Sequence, residues 1–393
     1  MFSRFLPFWL FLLLYKFGGS LHYSLLAPLG EPLLPLWAVG ALMGGGSLVQ
    51  LFLDVPVGNI LDRLGYLRFL RITTLIFLVA GVVLFAFPLT PWMYVVTVIL
   101  STFGWLFYSP GVSAYILSHA PKHHAGAFIS LRDTFGSFGV VAGTAILTFM
   151  LTQTTSVMGA TIAGLMFVAW IALLASPRDH VSVHAEQKLP THHWYIRRHP
   201  IGNMLRALRT LNPASTMLLI LSFAAATFYG IIWFVAPLTI AHELESSALG
   251  IGLGVFDFSI VVMGYILGNI ADRGNRRSLV FFGLLLFATA GIALGFSFNW
   301  LFLLFGFLAT TGDEMASISL WSWLHALDRD HAHDGLVAGV ITLFEDLGWA
   351  VGPFLAGILY TAIGPTWSRV SGGALIFVAW IGYQLLIHRH HPI

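Results

Sequence analysis

Apolar stretches of about 20 residues recur along this chain and restrict it to a bundle of membrane-spanning helices, because each can cross a ~30 Å hydrocarbon core at about 1.5 Å per residue. The first six stretches lie at 5–27, 36–59, 69–88, 92–117, 126–151 and 157–175. Six more lie at 213–240, 248–271, 278–297, 300–325, 336–362 and 367–387. The sequence therefore predicts an all-α integral membrane protein with 12 transmembrane helices.

The composition is typical of a chain that is embedded in a lipid bilayer. Hydrophobic residues make up 58% of it and charged residues 9%, with a mean hydropathy of +0.85, which lies outside the usage of soluble globular domains. A net charge of +2 gives no indication of a nucleic-acid partner. Because the chain has no cysteine, disulfides and thiolate metal sites are excluded, and we expect no cofactor. The stretch 5–27 continues without a small-residue cleavage site, so we interpret it as an uncleaved helix.

The longest polar stretch separates the two sets of apolar stretches. The sequence thus predicts three regions: an N-terminal six-helix bundle at 1–175, a cytoplasmic linker at 176–212 and a C-terminal six-helix bundle at 213–393. Lys and Arg are retained on the cytoplasmic side during insertion. Most of them lie in segments that would be on the same side of the membrane as the two termini. Arg369 is the exception on the outer side. We therefore expect both termini in the cytoplasm, and we interpret the membrane as a bacterial inner membrane.

A short motif occurs twice, at the ends of the second and eighth apolar stretches. Residues 58–63 read Gly-Asn-Ile-Leu-Asp-Arg and residues 268–273 read Gly-Asn-Ile-Ala-Asp-Arg. Two copies at matching places indicate a duplicated chain with pseudo-symmetric halves. Parallel halves related by an axis along the membrane normal place a substrate site near the midplane at their interface, and rocking of the halves alternates access to it.

This Gly-x-x-x-Asp-Arg motif, with basic residues after it, resembles the signature loop of the major facilitator superfamily. The glycine and proline pattern of 348–353 is similar to an element of bacterial drug/proton members. The resemblance implies two six-helix bundles that work as a monomer and a carboxylate that latches the cytoplasmic gate by accepting hydrogen bonds at a helix start. The gate residues implied or expected nearby are Asp54, Gly58, Asp62, Arg63, Gly268, Asp272 and Arg273. Topology-setting charges are the alternative, and Tyr66 and Leu67 depart from the family pattern.

Charged residues in the middle of the apolar stretches point to the working site, since each costs roughly 2.5 to 3.5 kcal/mol at a helix centre. These residues are Lys16, Asp257, Asp313 and Glu314. The resemblance implies that the first, fourth, seventh and tenth helices line the cavity, which brings Lys16 near the acids of the tenth helix. One Lys with two or three carboxylates leaves a negative site that a proton or a cationic substrate relieves. Proton coupling, direct substrate contact and a static pair remain open interpretations.

A second charged group lies closer to the cytoplasmic side, with Arg132 and Asp133 in the fifth stretch and Glu345 and Asp346 in the eleventh. Adjacent helical residues point about 100° apart, so we expect Arg132 to reach another helix instead of Asp133. A bridge from Arg132 to Glu345 or Asp346 would form a gate between the halves, and a permanent brace is the alternative. Glu31, at the outer end, is expected to be solvated.

Aromatic residues are abundant on the candidate cavity helices, at 15% of the whole chain. Stacking and cation–π attraction from such rings suit an apolar or cationic organic substrate. The candidates are Trp105, Tyr108, Tyr229, Trp233 and Trp321. Packing within the bundle or against lipid is the alternative for each of them.

Enzymatic function is not predicted, because the chain lacks Gly-x-Ser-x-Gly, His-Glu-x-x-His and a phosphate-binding loop. The prediction is proton-coupled efflux of a small amphipathic or cationic compound, with protons and the lipid bilayer as further partners. Uptake of a sugar-like or organic-anion nutrient and lipid flipping are alternatives within transport. An alternative of another class is a transport-inactive sensor that docks a partner on its histidine-rich cytoplasmic face.

Overall fold

The computed structural model of this chain is a bundle of long helices, and among the residues it describes every regular element is helical. The described residues are 2–119, 125–177, 213–242, 253–256, 258–259, 261–263, 266–267, 270, 276–297, 300–327 and 334–390. Most of the predicted linker, 178–212, therefore lies outside the described residues. The boundaries of the two halves stay predictions.

The described helices follow the predicted apolar stretches closely. The first set comprises α1 (Leu6–Gly30), α2 (Leu36–Leu64), α3 (Tyr66–Ala86), α4 (Pro91–His119), α5 (Ala125–Ala145), the short α6 (Leu147–Leu151) and α7 (Thr155–Ala175). A short 3₁₀ turn, Phe2–Phe5, precedes them. The second set comprises α8 (Pro213–His242), α9 (Arg276–Gly295), α10 (Trp300–Leu327) and α11 (Asp334–His390).

Backbone chemistry explains where several helices begin or break. Gly65, with φ of 82°, links α2 directly to α3 in the left-handed region that favours glycine. Pro91 begins α4 at a position where its missing N–H costs nothing. Gly364, with φ of 81° and ψ of 172°, divides α11 into two limbs. The break lies between the predicted stretches 336–362 and 367–387.

Seven described helices contain a span long and apolar enough to cross a membrane. The spans are Leu6–Gly30, Tyr66–Ala86, Thr155–Ala175, Leu219–His242, Arg277–Gly295, Trp300–Leu320 and Leu343–Leu385. We call the end of the bundle at which the chain starts the terminal face, and the other end the opposite face. The α2–α3 turn lies on the terminal face, whereas residues 31–35 and the Gly364 break lie on the opposite face.

Among the described residues, the apolar core is continuous between the halves only toward the opposite face. There, Leu25 and Met43 of the first set belong to one buried cluster with Phe234 and Ile376 of the second set. Toward the terminal face, the first half has a separate cluster, built around α1, α3, α4 and α7. Within the part of the chain that the structure describes, the interface between the halves is therefore packed at one end and not joined by a shared apolar core at the other.

Glycines of α2 allow the halves to meet closely toward the opposite face. A Cβ atom on Gly40 would overlap the carbonyl of Pro353, and one on Gly44 would overlap the carbonyl of Ala350. We call this contact of Gly40 and Gly44 with α11 the glycine seam. Small residues are what such backbone-to-backbone packing in a membrane requires.

Candidate functional site

The first half places a lysine inside a box of aromatic rings at mid-depth. The Nζ atom of Lys16 lies 4.7 Å from the centroid of the Trp105 ring and 5.3 Å from that of Tyr108. The Tyr108 ring in turn stacks on Tyr15 at 4.3 Å, and the Tyr15 hydroxyl donates to the carbonyl of Gly104 at 2.6 Å. Packing and hydrogen bonding thus hold the rings that attract the ammonium group.

Arg132 pairs with its chain neighbour, so the expectation that it bypasses Asp133 is wrong. Its Nε lies 2.7 Å from Oδ1 of Asp133, and the two side chains are 32% and 48% exposed. Adjacent side chains point about 100° apart on a helix. The long arginine side chain can still bend toward Asp133, because neither side chain is enclosed by packing. Both charges act electrostatically on Tyr108, so the pair lies near the aromatic rings around Lys16. A bridge from Arg132 to Glu345 or Asp346 stays a prediction.

The second half places a carboxylate against a tyrosine hydroxyl in the middle of α10. Oδ2 of Asp313, on α10, accepts a hydrogen bond of 2.8 Å from the hydroxyl of Tyr229 on α8. Oδ1 of Asp313 accepts one of 3.3 Å from Ser317, one turn along α10. A small pocket between α8, α9, α10 and α11, with room for about one water molecule, reaches the carboxylate.

Further acids surround Asp313. The carboxylate of Glu345, on α11, is exposed and lies close enough to Asp313 for the two charges to repel each other. Glu314 acts electrostatically on Tyr229 from the next position of α10. Asp346, in contrast, is only 9% exposed. The second half therefore presents a group of acids, which we call the acidic wall: Asp313, Glu314 and Glu345.

Three aromatic residues join the halves on the opposite-face side of these charges. The ring of Tyr23, on α1, lies 6.2 Å from that of Trp233 on α8 and 6.3 Å from that of Trp349 on α11, edge to face in both cases. We call Tyr23, Trp233 and Trp349 the aromatic ceiling. Trp233 was among the predicted cavity residues, whereas Tyr23 and Trp349 were missed.

Helical spacing could have revealed the two missed rings. Trp349 follows Glu345 by one turn, and Tyr23 follows Lys16 by two turns, so each ring lies on the same helix face as a charged residue. Trp233 bears the same relation to Tyr229. Each of these three helices therefore carries one ring of the aromatic ceiling and, one or two turns nearer the terminal face, a polar group on the same helix face.

A polar contact closes the interface at the opposite face, and it corrects the expectation that Glu31 is solvated. Nε2 of His242, at the end of α8, lies 2.9 Å from Oε2 of Glu31, which follows α1. The Tyr360 hydroxyl lies 3.3 Å from Nδ1 of the same histidine. We call Glu31, His242 and Tyr360 the outer latch. Sequence reasoning missed it because its three members are far apart in the chain.

Several predicted site residues lie beyond what the structure describes. Asp257, Gly268, Asp272 and Arg273 lie outside the described residues. Asp54, Gly58, Asp62 and Arg63 on α2, and Trp321 on α10, lie in described helices, but their surroundings and side chains are outside the described part. The gate of the signature loops therefore stays a prediction.

Comparison with known proteins identifies the family. The model described as Major Facilitator Superfamily matches residues 1–229 and 218–392. No curated protein matches the chain. Among similar solved structures is an inward-facing, unoccupied bacterial homolog of the human lysosomal transporter Spinster, with 13% identity, coverage of 98% of this chain and 96% of that chain, and a TM-score of 0.76.

Two further structures are similar over nearly their whole length. The nucleoside transporter NupG shares 12% identity, with coverage of 96% and 97% and a TM-score of 0.73. The inward open xylose transporter XylE from E. coli shares 17%, with coverage of 98% and 96% and a TM-score of 0.71. These likenesses, with the family match, confirm the predicted fold class of an all-α membrane protein built from two six-helix bundles.

Proposed function

The chain belongs to the major facilitator superfamily, and on that premise we propose that it is a proton-coupled secondary transporter that exports a small amphipathic compound carrying a cationic group. The observation that carries this proposal is the acidic wall at mid-depth, centred on Asp313 and its hydrogen bond from Tyr229. Carboxylates at that depth are costly and mark substrate and proton pathways in membrane proteins.

The acidic wall supports coupling through competition for one site. Asp313 and Glu345 repel each other when both are ionised, and either a proton or a cationic group relieves that repulsion. A site that takes one or the other, in alternation, exchanges protons for a cation across the membrane. Export of the cation then follows when protons enter down their gradient.

The packing of the interface supports alternating access. The halves join toward the opposite face through the shared core, the glycine seam and the outer latch, while Glu345 and Asp133, nearer the terminal face, are exposed. With the basic ends of the helices placed in the cytoplasm, as the distribution of Lys and Arg predicts, we infer an inward-facing state of a transporter in the inner membrane. The Spinster homolog and XylE structures are also described as inward-facing or inward open.

The test is proton flux into liposomes that contain the purified protein, with an internal pH dye and separate pools of organic cations, sugars and organic acids. We expect flux with the cation pool that is lost in Asp313→Asn. Arg71→Gln serves as the control, because it also removes a charge but lies away from the acidic wall. The Arg71 guanidinium, on α3, donates a hydrogen bond to the carbonyl of Leu173. Flux with the sugars or acids alone would instead favour nutrient uptake. Wild-type protein without flux for any pool would favour lipid flipping or a docking role.

A further inference from the structure

The tryptophans that are exposed among the described residues all lie at the opposite face. Each stands at the start of a helix or just after the Gly364 break, and they are Trp37, Trp92, Trp300 and Trp367. An indole ring combines an apolar body with an N–H donor, and it is enriched where the acyl chains of a bilayer meet the headgroups. This end of the bundle thus carries a belt of side chains suited to that layer.

Two members of the belt occupy matching positions in the two halves. Trp92 and Trp300 are the most exposed of the four, at 77% and 70%. Each precedes by 12 residues a glycine that packs closely on a neighbouring helix. A Cβ atom on Gly104 would meet α3, and one on Gly312 would meet α9. The helices α4 and α10 are therefore equivalent in the duplicated plan, and so are their first tryptophans.

Contacts at the starts of α4 and α10 place both tryptophans at the same end of the bundle. In the first turn of α4, the Tyr94 hydroxyl donates to the carbonyl of Leu26, near the end of α1, at 3.0 Å. In the first turn of α10, the ring of Phe302 lies 5.9 Å from the guanidinium carbon of Arg369, just after the break in α11. Both helices therefore begin beside segments of the opposite face.

The same two helices carry residues of the candidate site at the same distance from these tryptophans. Trp105, beside Lys16, and Asp313 each lie 13 residues after the exposed tryptophan of their helix. At about 1.5 Å per residue this is about 20 Å along each helix, which is more than half of a ~30 Å hydrocarbon core. A fixed depth for the two tryptophans therefore sets the depth of both sides of the site.

From this arrangement we propose that Trp92 and Trp300 are a matched pair of membrane anchors. Their indole rings bind the glycerol-ester layer of the bilayer at the opposite face, with phospholipid as the partner. Through that contact they hold α4 and α10 at the depth of the site. Exposed apolar residues continue inward along the same helix faces, namely Val96 and Ile99 on α4 and Leu304 on α10. An amphipathic ring at the start of an exposed apolar stripe is what a helix face in contact with lipid requires.

Spin labelling measures the depth of each position, and the absence of cysteine from the chain makes each label unique. Nitroxides at Trp92→Cys and Trp300→Cys, in dioleoylphosphatidylcholine vesicles, are compared by their collisions with oxygen and with a water-soluble nickel chelate. We expect both labels at the boundary between headgroups and acyl chains, at depths within about 3 Å of each other. Labels at Val96→Cys and Leu304→Cys, one turn further along, should lie about 6 Å deeper.

The anchoring role is tested by a change of bilayer thickness, with the label at Ile99→Cys. In both dimyristoleoyl and dieicosenoyl phosphatidylcholine we expect this label to keep its distance from the opposite-face headgroups. The pair Trp92→Leu and Trp300→Leu retains apolar side chains but loses the amphipathic rings, so the distance should change by at least about 3 Å between the two lipids. The pair Trp92→Tyr and Trp300→Tyr is the matched control and should behave as the wild type, because tyrosine also favours the interface.

The proposal is overturned if the labels at Trp92→Cys and Trp300→Cys collide with the nickel chelate as freely as a label in water. Shielding from both collision partners would also overturn it and would indicate a protein contact, such as a second copy of this chain. A leucine pair that keeps the wild-type depth in both lipids would remove the anchoring role. Size exclusion identifies a leucine pair that does not fold, in which case the label depths of the first measurement decide. Neither measurement depends on transport, so failure here leaves the proposed function intact.

Discussion

The halves of this bundle touch through backbone atoms near the opposite face, whereas at mid-depth each half carries charged side chains. At the glycine seam, Gly44 brings α2 onto the carbonyl of Ala350. Nearer the middle, Lys16 lies on one side and Asp313 on the other. An interface of close packing without strong polar bonds can separate and form again, which suits a gate. Charged side chains can bind a solute, which suits a binding site.

Filling the seam should have the largest effect, because Gly44→Val places side-chain atoms where α11 must lie when the opposite face is closed. Overpacking costs about 1–3 kcal/mol, and we expect substrate-driven proton flux to fall roughly a hundredfold. Gly45→Val is the matched control, since a Cβ atom there meets nothing within 4 Å. Equal losses in both variants would contradict the seam as a gate.

Thiol labelling provides a second measure of the same change. The chain has no cysteine, so Tyr23→Cys introduces one unique label site in the ceiling. In the Gly44→Val background we expect a membrane-impermeant maleimide, added from the opposite face, to react about tenfold faster than in the Gly45→Val background. Unchanged labelling would mean that the seam still closes.

At mid-depth, Asp313→Asn should cost about thirtyfold in coupled proton flux, a change of about 2 kcal/mol. The reason is that the amide can neither take up a proton nor attract a cationic group as the carboxylate does. Asp313→Glu keeps the charge and should stay within about fivefold of the wild type. An Asn variant that still exchanges protons at the wild-type rate would move the coupling role to another acid.

Tyr229, beside Asp313, and Tyr108, beside Lys16, should respond differently to loss of the hydroxyl. Tyr229→Phe removes a hydrogen bond to a charged group, which is worth about 1.5–3 kcal/mol, and we expect about a tenfold loss of flux. Tyr108→Phe keeps the ring that attracts Lys16 and should cost only about twofold. Similar losses in the two variants would mean that the Lys16 site depends on its tyrosine hydroxyl as much as the acidic wall does.

The outer latch should give the smallest effect, because an exposed ion pair is worth about 0.2–1 kcal/mol. Glu31→Gln removes the carboxylate that His242 contacts, so labelling of Tyr23→Cys from the opposite face should become faster. We expect the change in rate to be less than about fivefold. An unchanged rate would mean that the latch does not help to hold the interface closed.

The helices were predictable from the sequence because hydropathy and turn residues act over short distances. The apolar stretches agree with α1 to α5 and α7 to α11 to within a few residues at most ends, and the division of α11 at Gly364 follows from a glycine between two apolar runs. Lys16 and Asp313 were also apparent, since a charge within an apolar stretch is visible in one dimension.

The partners of those charges were not predictable in the same way. Helical geometry suggested that Arg132 avoids its neighbour, but a long side chain in open space reaches it. The ceiling contact of Tyr23 with Trp349, and the latch contact of Glu31 with His242, join residues on helices far apart in the chain. Local periodicity shows which face of a helix a residue occupies, but it does not show which other helix that face meets.

The sequence by itself determined the membrane class, the helical segments, the duplicated plan and the charged residues at mid-depth. These depend on the composition of each segment and on the cost of burying charge in lipid. Only the tertiary structure decided that the halves meet through glycines at one end, that aromatic rings surround Lys16, that Tyr229 donates to Asp313, and that Tyr23, Trp233 and Trp349 join the halves. Those arrangements depend on how helices from both halves pack together, which no one segment encodes.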